Sequence, residues 1–235
     1  MTRAATSSKH PLLWAIVAMD TPESNALLAP RLKSASNVRC RTNLQGRAET
    51  RHRLGRALAL QLLAQTGSGP WSVETTQRGR PIGIGRGGER HISISHTGSL
   101  VAAAVSIVGP IGIDIEWQDP ARDFVGLATA AFGQSEARAV AIQGLKTFYR
   151  IWTVREAISK ATGKGLEEAL DRIDRTPDAL VDGAWSVSQG TWLIGHDVLK
   201  GDFSMALAVQ LSSVDAIAAV SATSIASSRF EIESR

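Results

Sequence analysis

The sequence is poor in cysteine and in long apolar runs, and each shortage excludes a class of protein. One cysteine, Cys40, among 235 residues excludes a disulfide framework and any CxxC metal pair. A single thiol is also typical of the reducing cytosol. No apolar run is long enough for a membrane-spanning helix. We therefore expect a cytoplasmic protein whose 43% hydrophobic residues supply an ordinary globular core.

The first apolar segment resembles a short signal peptide, but it lacks a cleavage site. PLLWAIVAM, at 11–19, follows Arg3 and Lys9, but no small-x-small cleavage site comes after it and Asp20 ends it directly. We interpret this segment as a first buried strand. Residues 1–10 and 223–235 are expected to be a flexible N-terminus and a flexible tail.

Charge is unevenly distributed, although the net charge is only +4. Residues 1–112 hold 14 Lys/Arg and 5 Asp/Glu, whereas residues 113–235 hold 12 and 17. Of the 26 basic residues, 20 are arginine, whose planar fork of donors suits phosphate. The first half is therefore typical of a protein that binds a polyanion, unless the asymmetry is only an uneven soluble surface.

The apolar pattern of the first half predicts one long helix and then short strands. Apolar residues recur at helical spacing within 47–65, and glycines stop this segment. HISIS at 91–95 and LVAAAVSI at 100–107 have the pattern of strands, joined by a turn at 96–98. GIDIE, at 112–116, follows as a third strand.

The second half repeats this order faintly, with helices near Ser135 and at 146–162 before three strands. We therefore predict an α+β fold of two similar, pseudo-twofold lobes. Each lobe is a small, mostly antiparallel sheet packed with a long helix. The predicted domains are a basic N-terminal lobe at 11–116 and a C-terminal lobe at 117–222.

Two motifs suggest a dinucleotide-binding loop and a Ser-His catalytic pair, but the sequence around each motif argues against it. GIGRGG at 83–88 matches G-x-G-x-x-G, but a strand pattern follows it where a dinucleotide-binding loop needs a helix. Ser95 and His96 lack a G-x-S-x-G elbow, and neighbours on a strand point to opposite faces. The Ser-His-Thr-Gly segment could instead hold a phosphate, or be an ordinary hairpin turn.

Acidic side chains occur at strand and helix spacing in the centre of the chain. Strand periodicity puts Asp114 and Glu116 on one face, where they repel unless a cation neutralises them. Mg²⁺ prefers one or two carboxylates together with substrate phosphates. Glu156 and Lys160 share one face of a predicted helix and could add a third carboxylate and a phosphate contact. The alternatives are a solvent-facing strand edge and a surface ion pair.

Read in order, four stretches resemble the 4′-phosphopantetheinyl transferases of the larger, two-lobed (surfactin-synthetase-activating) type. The family's pattern is G-(K/R)-P, then (N/S)-x-S-H, then G-(I/V)-D-(I/V)-E, then W-(S/T)-x-(K/R)-E-(A/S)-x-x-K-x-x-G-x-G. The matching stretches are GRP (79–81), SISHTG (93–98), GIDIE (112–116) and FYRIWTVREAISKATGKGL (148–166). RHRLGRALAL adds a weaker match upstream.

The resemblance implies an active site in the cleft between two lobes. The reaction it implies moves 4′-phosphopantetheine from coenzyme A to a serine of an apo acyl or peptidyl carrier protein. Adenosine 3′,5′-bisphosphate is released. Asp114, Glu116 and Glu156 match the family's acids around Mg²⁺, and Glu156 is also the candidate base. Lys160 matches the lysine near the pyrophosphate.

The resemblance also implies coenzyme A contacts in the basic half. Ser95 and His96 match the turn that meets the phosphates, while Arg51 and Arg80 match positions for the 3′-phosphate and the nucleotide end. Arg155, like Arg80, stands where many members have lysine. Three further arginines align poorly and are open as contacts, namely Arg39, Arg41 and Arg47. Glu136 lies where the family often has F-(S/T)-x-x-E.

Two other classes stay open. A basic nucleic-acid-binding protein would explain the arginines, but residues 30–60 contain no aromatic residue except His52 to stack on bases. A non-catalytic relative that binds coenzyme A or a carrier would keep the resemblance, although the intact acids argue against it. We expect a monomer, because one chain supplies both lobes. We also expect no nucleic acid partner and no membrane partner.

Overall fold

The computed structural model describes residues 11–32, 45–67, 69–164, 185–188, 192–200 and 202–212. The chain divides into two compact units, with the boundary between Gly109 and Pro110. We call the described residues before this boundary unit 1 and the described residues after it unit 2. The expected flexible ends, 1–10 and 223–235, lie outside the described residues.

Unit 1 contains one five-stranded antiparallel sheet. Its strands are β1 (Leu12–Ala18), β2 (Trp71–Thr75), β3 (Pro81–Gly85), β4 (Gly88–Thr97) and β5 (Leu100–Ser106), in the spatial order β1-β5-β4-β3-β2. Its described helices are α1 (Pro22–Leu32) and α2 (Gly46–Gln65). The predicted first strand and the predicted long helix are confirmed by β1 and α2.

Helix α2 packs its leucines on one face of this sheet. Leu54, Leu58 and Leu62 are fully buried, as their helical spacing requires. They join a cluster with Val101 and Ala103, which alternate along β5 with buried residues of the other face of the sheet. The long helix is therefore the main cover of this face of the sheet.

The glycine-rich GIGRGG stretch forms the hairpin between β3 and β4. Gly83 and Gly85 lie in β3, and Gly88 opens β4 with a positive φ of 91°. Strand follows strand, so the dinucleotide-binding interpretation is excluded and the predicted turn is confirmed.

Unit 2 contains a second antiparallel sheet and a group of helices. Its described strands are β6 (Ile111–Trp117), β7 (Trp185–Ser188), β8 (Trp192–Leu199) and β9 (Phe203–Gln210), in the spatial order β6-β9-β8-β7. Its described helices are α3 (Phe124–Ala131), α4 (Gln134–Gln143) and α5 (Leu145–Thr162). The predicted α+β class with antiparallel sheets is therefore confirmed.

GIDIE lies in the second sheet and not in the first. Residues 111–117 pair along their whole length with β9, residue Asp114 opposite Ala206 and Glu116 opposite Ser204. The predicted boundary after residue 116 therefore differs from the observed one at Gly109. Nearness in sequence to β5 suggested a third strand of the first sheet, but backbone pairing with a segment some ninety residues later assigns it to unit 2.

Helix α5 lies unusually close to the second sheet because small residues face each other. Ala157 and Ala161 on the helix pack against Ala206 and Ala208 on β9. At Gly112 a side chain could not fit, since a Cβ there would overlap the carbonyl oxygen of Ala157. The helix ends at Gly163, which has a positive φ of 70° typical of a left-handed C-cap.

Within the described residues, no helix is long and apolar enough to span a membrane.

Candidate active site

The acids of GIDIE share the face of β6 that α5 covers. Asp114 is almost fully buried, with 3% of its surface exposed, and Glu116 is partly buried. Ile113 and Ile115 point to the opposite face and are completely buried. The alternation along the strand therefore anchors one side in apolar packing and presents two carboxylates on the other.

Helix α5 brings a lysine onto the first of these acids. Lys160 Nζ donates to Asp114 Oδ1 over 2.7 Å, and the carboxylate is much the more buried partner. This bond joins the strand and the helix across 46 positions of sequence. Lys160 therefore binds an acid on the strand, and its charge also acts on Glu156 one turn earlier on the helix.

Burial and the Asp114 charge both oppose the ionisation of Glu116 and Glu156. Burial raises the pKa of Glu116, the Asp114 carboxylate raises it further, and Arg122 and Lys160 counteract this. Burial likewise raises the pKa of Glu156, with Asp114 as the second cause and Lys160 again opposing it. A site with excess negative charge of this kind favours binding of a cation.

The donor set fits Mg²⁺ in its chemistry. Among the residues that the structure describes, no three His, Cys, Asp or Glu side chains converge as a ready metal centre. Asp114, Glu116 and Glu156 nevertheless supply hard oxygen ligands, and a divalent cation would offset both the burial and the Asp114 charge that raise the pKa of the two glutamates. The assignment of these three residues as metal ligands stays a prediction.

Replacing Glu116 by glutamine should stabilise the metal-free protein at neutral pH but not in acid. The pKa of Glu116 is raised in the folded protein, so its contribution to stability is complete below the ordinary value of 4.5 and is lost as pH rises through the raised value. Glutamine avoids that loss. We expect a gain of about 0.5–1 kcal/mol, which is small because the side chain is partly solvated.

Urea denaturation in EDTA at neutral pH and at about pH 4 measures this difference. Glu89→Gln, on the exposed β3–β4 hairpin, is the matched control and should show no such gain. Equal stability of Glu116→Gln and the wild-type chain at neutral pH would contradict repulsion within the acid cluster.

A buried ion pair supports the helix that carries Glu156. Arg155 Nη2 binds Glu136 Oε2, and both residues are less than 9% exposed. The guanidinium also lies over the Phe132 ring, 5.4 Å from its centroid. The pair ties α4 to α5 one residue before Glu156. Sequence reasoning noted both residues as family positions but missed that they are partners.

Trp152, the first residue of the helical motif, has a packing role. Its ring stacks on Phe148 at 5.6 Å and contacts Phe132 at 6.3 Å, and Arg122 lies over it at 5.5 Å. The aromatic group joins α5 to the α3–α4 segment. It therefore fixes the helix from the side opposite the small-residue contact with β9.

In unit 1, Ser95 and His96 lie on a strand and not in a turn. Thr97 still pairs with Leu100, so β4 continues through both residues and the turn consists of Gly98 and Ser99. Ser95 is buried, whereas His96 is exposed on the opposite face of the strand. The predicted turn at 96–98 was wrong by one to two residues, because cross-strand pairing extends the strand beyond the alternating pattern.

Arg80 lies at a cavity of about 470 Å³ in unit 1. Arg78 and His91 line the same cavity, together with Thr76. Burial lowers the pKa of Arg80, and so does the neighbouring Arg78 charge. Burial and then Arg80 lower the pKa of His91. Arg78 and Arg80 oppose each other's charge and favour an anion between them, whereas the lowered pKa of His91 favours its neutral form. His91 was not singled out from the sequence.

The other arginines of unit 1 divide into structural and available ones. Arg56 is buried and donates to Val73 O over 2.8 Å and to Thr75 Oγ1, so it anchors α2 to β2. Arg51 carries a buried Nε that has no hydrogen-bond partner. Arg47 forms an exposed ion pair with Asp20 at 3.2 Å. The open candidates Arg39 and Arg41 lie outside the described residues.

Comparison with known proteins points to one family. Residues 110–208, which begin where unit 2 begins, match the 4′-phosphopantetheinyl transferase superfamily model. The chain is 33% identical over 172 residues to the 4′-phosphopantetheinyl transferase HetI of Nostoc sp. (strain PCC 7120), covering 69% of this chain and 72% of that protein.

Two further relatives match shorter stretches. One is the 4′-phosphopantetheinyl transferase AcpT of Salmonella typhimurium, 32% identical over 117 residues, which cover 48% of this chain and 58% of the relative. The other is a 4′-phosphopantetheinyl transferase of Bacillus subtilis, 34% identical over 87 residues, which cover 35% and 38%.

Proposed function

Since the chain belongs to the 4′-phosphopantetheinyl transferase superfamily, we propose that it moves 4′-phosphopantetheine from coenzyme A to a serine of an apo acyl or peptidyl carrier protein. The serine oxygen forms a bond to the β-phosphorus of coenzyme A. The bond from that phosphorus to the leaving phosphate breaks, and adenosine 3′,5′-bisphosphate is released. The larger, two-lobed subtype, the cytoplasmic location and a monomeric state belong to the same proposal.

The observation that carries the proposal is the bond between Lys160 and Asp114 beside two glutamates of raised pKa. Phosphoryl transfer needs charge neutralisation and positioning more than covalent chemistry. The cluster supplies groups for charge neutralisation and for positioning. These groups are a buried acid, two further carboxylates and an ammonium group. The cluster lies wholly within the segment that matches the family.

Each residue of the cluster has a proposed role. Asp114, Glu116 and Glu156 would hold Mg²⁺, which supplies positive charge to the pyrophosphate oxygens when bound. Lys160 contributes a second positive charge to those oxygens. Glu156 takes the proton of the carrier serine, directly or through a water molecule.

Unit 1 would bind coenzyme A through its basic side chains. Arg80 lies at the cationic cavity, and Arg51 offers a buried donor atom without a partner. Ser95 and His96 are proposed phosphate contacts from the end of β4. Arginine at position 80 can grip a phosphate with two parallel hydrogen bonds, so the change from the family's common lysine keeps the function.

Mass spectrometry of an apo carrier protein tests the proposal. With coenzyme A and Mg²⁺, the carrier should gain the mass of one phosphopantetheine, and a carrier whose acceptor serine is replaced by alanine should gain none. A panel of apo carriers from fatty-acid, polyketide and peptide synthesis should be assayed side by side. Tight coenzyme A binding with no transfer to any of them would favour the non-catalytic alternative.

A further inference from the structure

A buried chain of polar side chains lies in unit 2, apart from the groups to which the proposed chemistry assigns a role. His196 Nε2 is 2.8 Å from Ser204 Oγ, and Ser204 Oγ is 3.4 Å from Thr153 Oγ1. All three residues are at most 3% exposed. Polar groups in a core cost free energy unless they are bonded to one another, so a connected set of this kind needs a structural reason.

The direction of the hydrogen bonds follows from counting donors. Thr153 Oγ1 donates its one hydrogen to the carbonyl of Tyr149, over 2.8 Å. Thr153 Oγ1 can therefore only accept a hydrogen bond from Ser204. The Ser204 hydroxyl donates its one hydrogen to that contact. Ser204 Oγ then accepts from His196 Nε2. The chain runs from the imidazole on β8 through β9 to the backbone of α5.

The strand pairing puts this chain on the face that carries the acids. Ser204 is the direct cross-strand partner of Glu116. His196 lies opposite Ala206, which in turn lies opposite Asp114. Directly opposed residues of antiparallel strands point to the same face of a sheet. The polar chain and the two acids are therefore neighbours across one surface.

Thr153, at the other end of this series of hydrogen-bonded side chains, lies on α5, the helix that carries Glu156. Thr153 precedes Glu156 by three residues and Lys160 by seven, so all three lie along one side of α5. Lys160 is bonded to Asp114 nearer the C-terminal end of this stretch. The Thr153–Ser204 contact holds the helix to the sheet at its other end, where apolar packing is not directional.

We propose that His196, Ser204 and Thr153 are positioning residues that set the separation of Glu156 on α5 from Glu116 on β6. Through that separation they set the affinity of the acid cluster for its cation. The inference rests on the proposed function, because it takes the three acids as the cation's ligands. Groups that orient ligands in this way change metal affinity when removed, even though they do not touch the metal.

The test measures Mn²⁺ binding to the full chain by electron paramagnetic resonance. Thr153→Val keeps the shape and removes the hydroxyl, and Ser204→Ala removes the central link. Both should raise the Kd for Mn²⁺ roughly 10-fold, whereas Thr153→Ser, which keeps the hydroxyl, should stay within about 2-fold of the wild-type value. The Mg²⁺ concentration for half-maximal transfer should shift in parallel.

Ser106→Ala is the matched control. Ser106 is an equally buried serine of unit 1 that accepts from Val108 N and Gly109 N, both over 3.2 Å. Its removal should lower the melting temperature without changing Mn²⁺ affinity. A merely structural role for Ser204 predicts the same pattern for Ser204→Ala.

The outcomes separate the inference from the function beneath it. Wild-type Mn²⁺ affinity in folded Thr153→Val and Ser204→Ala would overturn the inference, and Ser204→Ala decides alone if Thr153→Val does not fold. A wild-type chain that binds no Mn²⁺ would overturn it as well. A chain that binds Mn²⁺ but transfers nothing would contradict the proposed function and leave the result on positioning intact.

Discussion

Asp114→Asn should lower kcat/KM for phosphopantetheine transfer by about 100- to 1,000-fold, the size of effect seen when one charge-stabilising group is removed from an active site. The substitution removes the charge at the centre of the cluster, since Asp114 raises the pKa of both Glu116 and Glu156 and binds Lys160. The asparagine carbonyl can still accept from Lys160, so the fold should persist.

The measurement is a transfer assay over a range of Mg²⁺ concentrations. Part of the lost activity should return at high Mg²⁺, because a weakened cation site still fills by mass action. Asp197→Asn is the matched control, since Asp197 lies opposite Met205 and therefore on the face of the same sheet that does not carry the acids. Full activity of Asp114→Asn at low Mg²⁺ would contradict the assignment of this cluster as the cation site.

Glu156→Gln should lower kcat by about 100- to 10,000-fold, the range that general-base catalysis contributes. Glutamine keeps the size of the side chain and cannot take the serine proton. With Mg²⁺ and coenzyme A bound, the wild-type rate should also fall on the acid side of its pH profile. The fall occurs because protonation removes the base as pH drops, and it should be absent from the variant.

High Mg²⁺ distinguishes the two roles proposed for Glu156. If it acts as the base, excess Mg²⁺ should not rescue Glu156→Gln, in contrast to Asp114→Asn. Glu49→Gln is the matched control, because Glu49 is a helical glutamate of unit 1 that pairs with Arg53 one turn away, at 3.7 Å. Recovery of wild-type kcat at high Mg²⁺ would show that Glu156 acts as a ligand alone.

The sequence predicts secondary structure well where apolar residues recur at the period of a helix or a strand. The same periodicity predicts which face of the element each side chain lies on. The leucine spacing of α2 and the alternation of GIDIE are local patterns, and both give the burial found in the structure. The pattern also placed Asp114 and Glu116 on one face, which the pairing with β9 confirms.

Contacts between distant segments could not be predicted. GIDIE joined the second sheet because β9 is its partner, and no local pattern encodes a partner that far along the chain. The same reason hid the Arg155–Glu136 pair and the His196–Ser204 bond, whose members lie on different elements. The turn after Ser95 shifted because Thr97 found a cross-strand partner.

Gly112, the first residue of the GIDIE motif, affects where the helix lies relative to the acidic residues that follow it. With no side chain there, the backbone of α5 rests against the strand at Ala157 and Ala161. Any larger residue would act as a wedge, tilting the helix outward and lengthening the gap that Lys160 must bridge to Asp114. Gly112 therefore sets the distance between α5 and the acidic residues of β6, although it carries no charge itself.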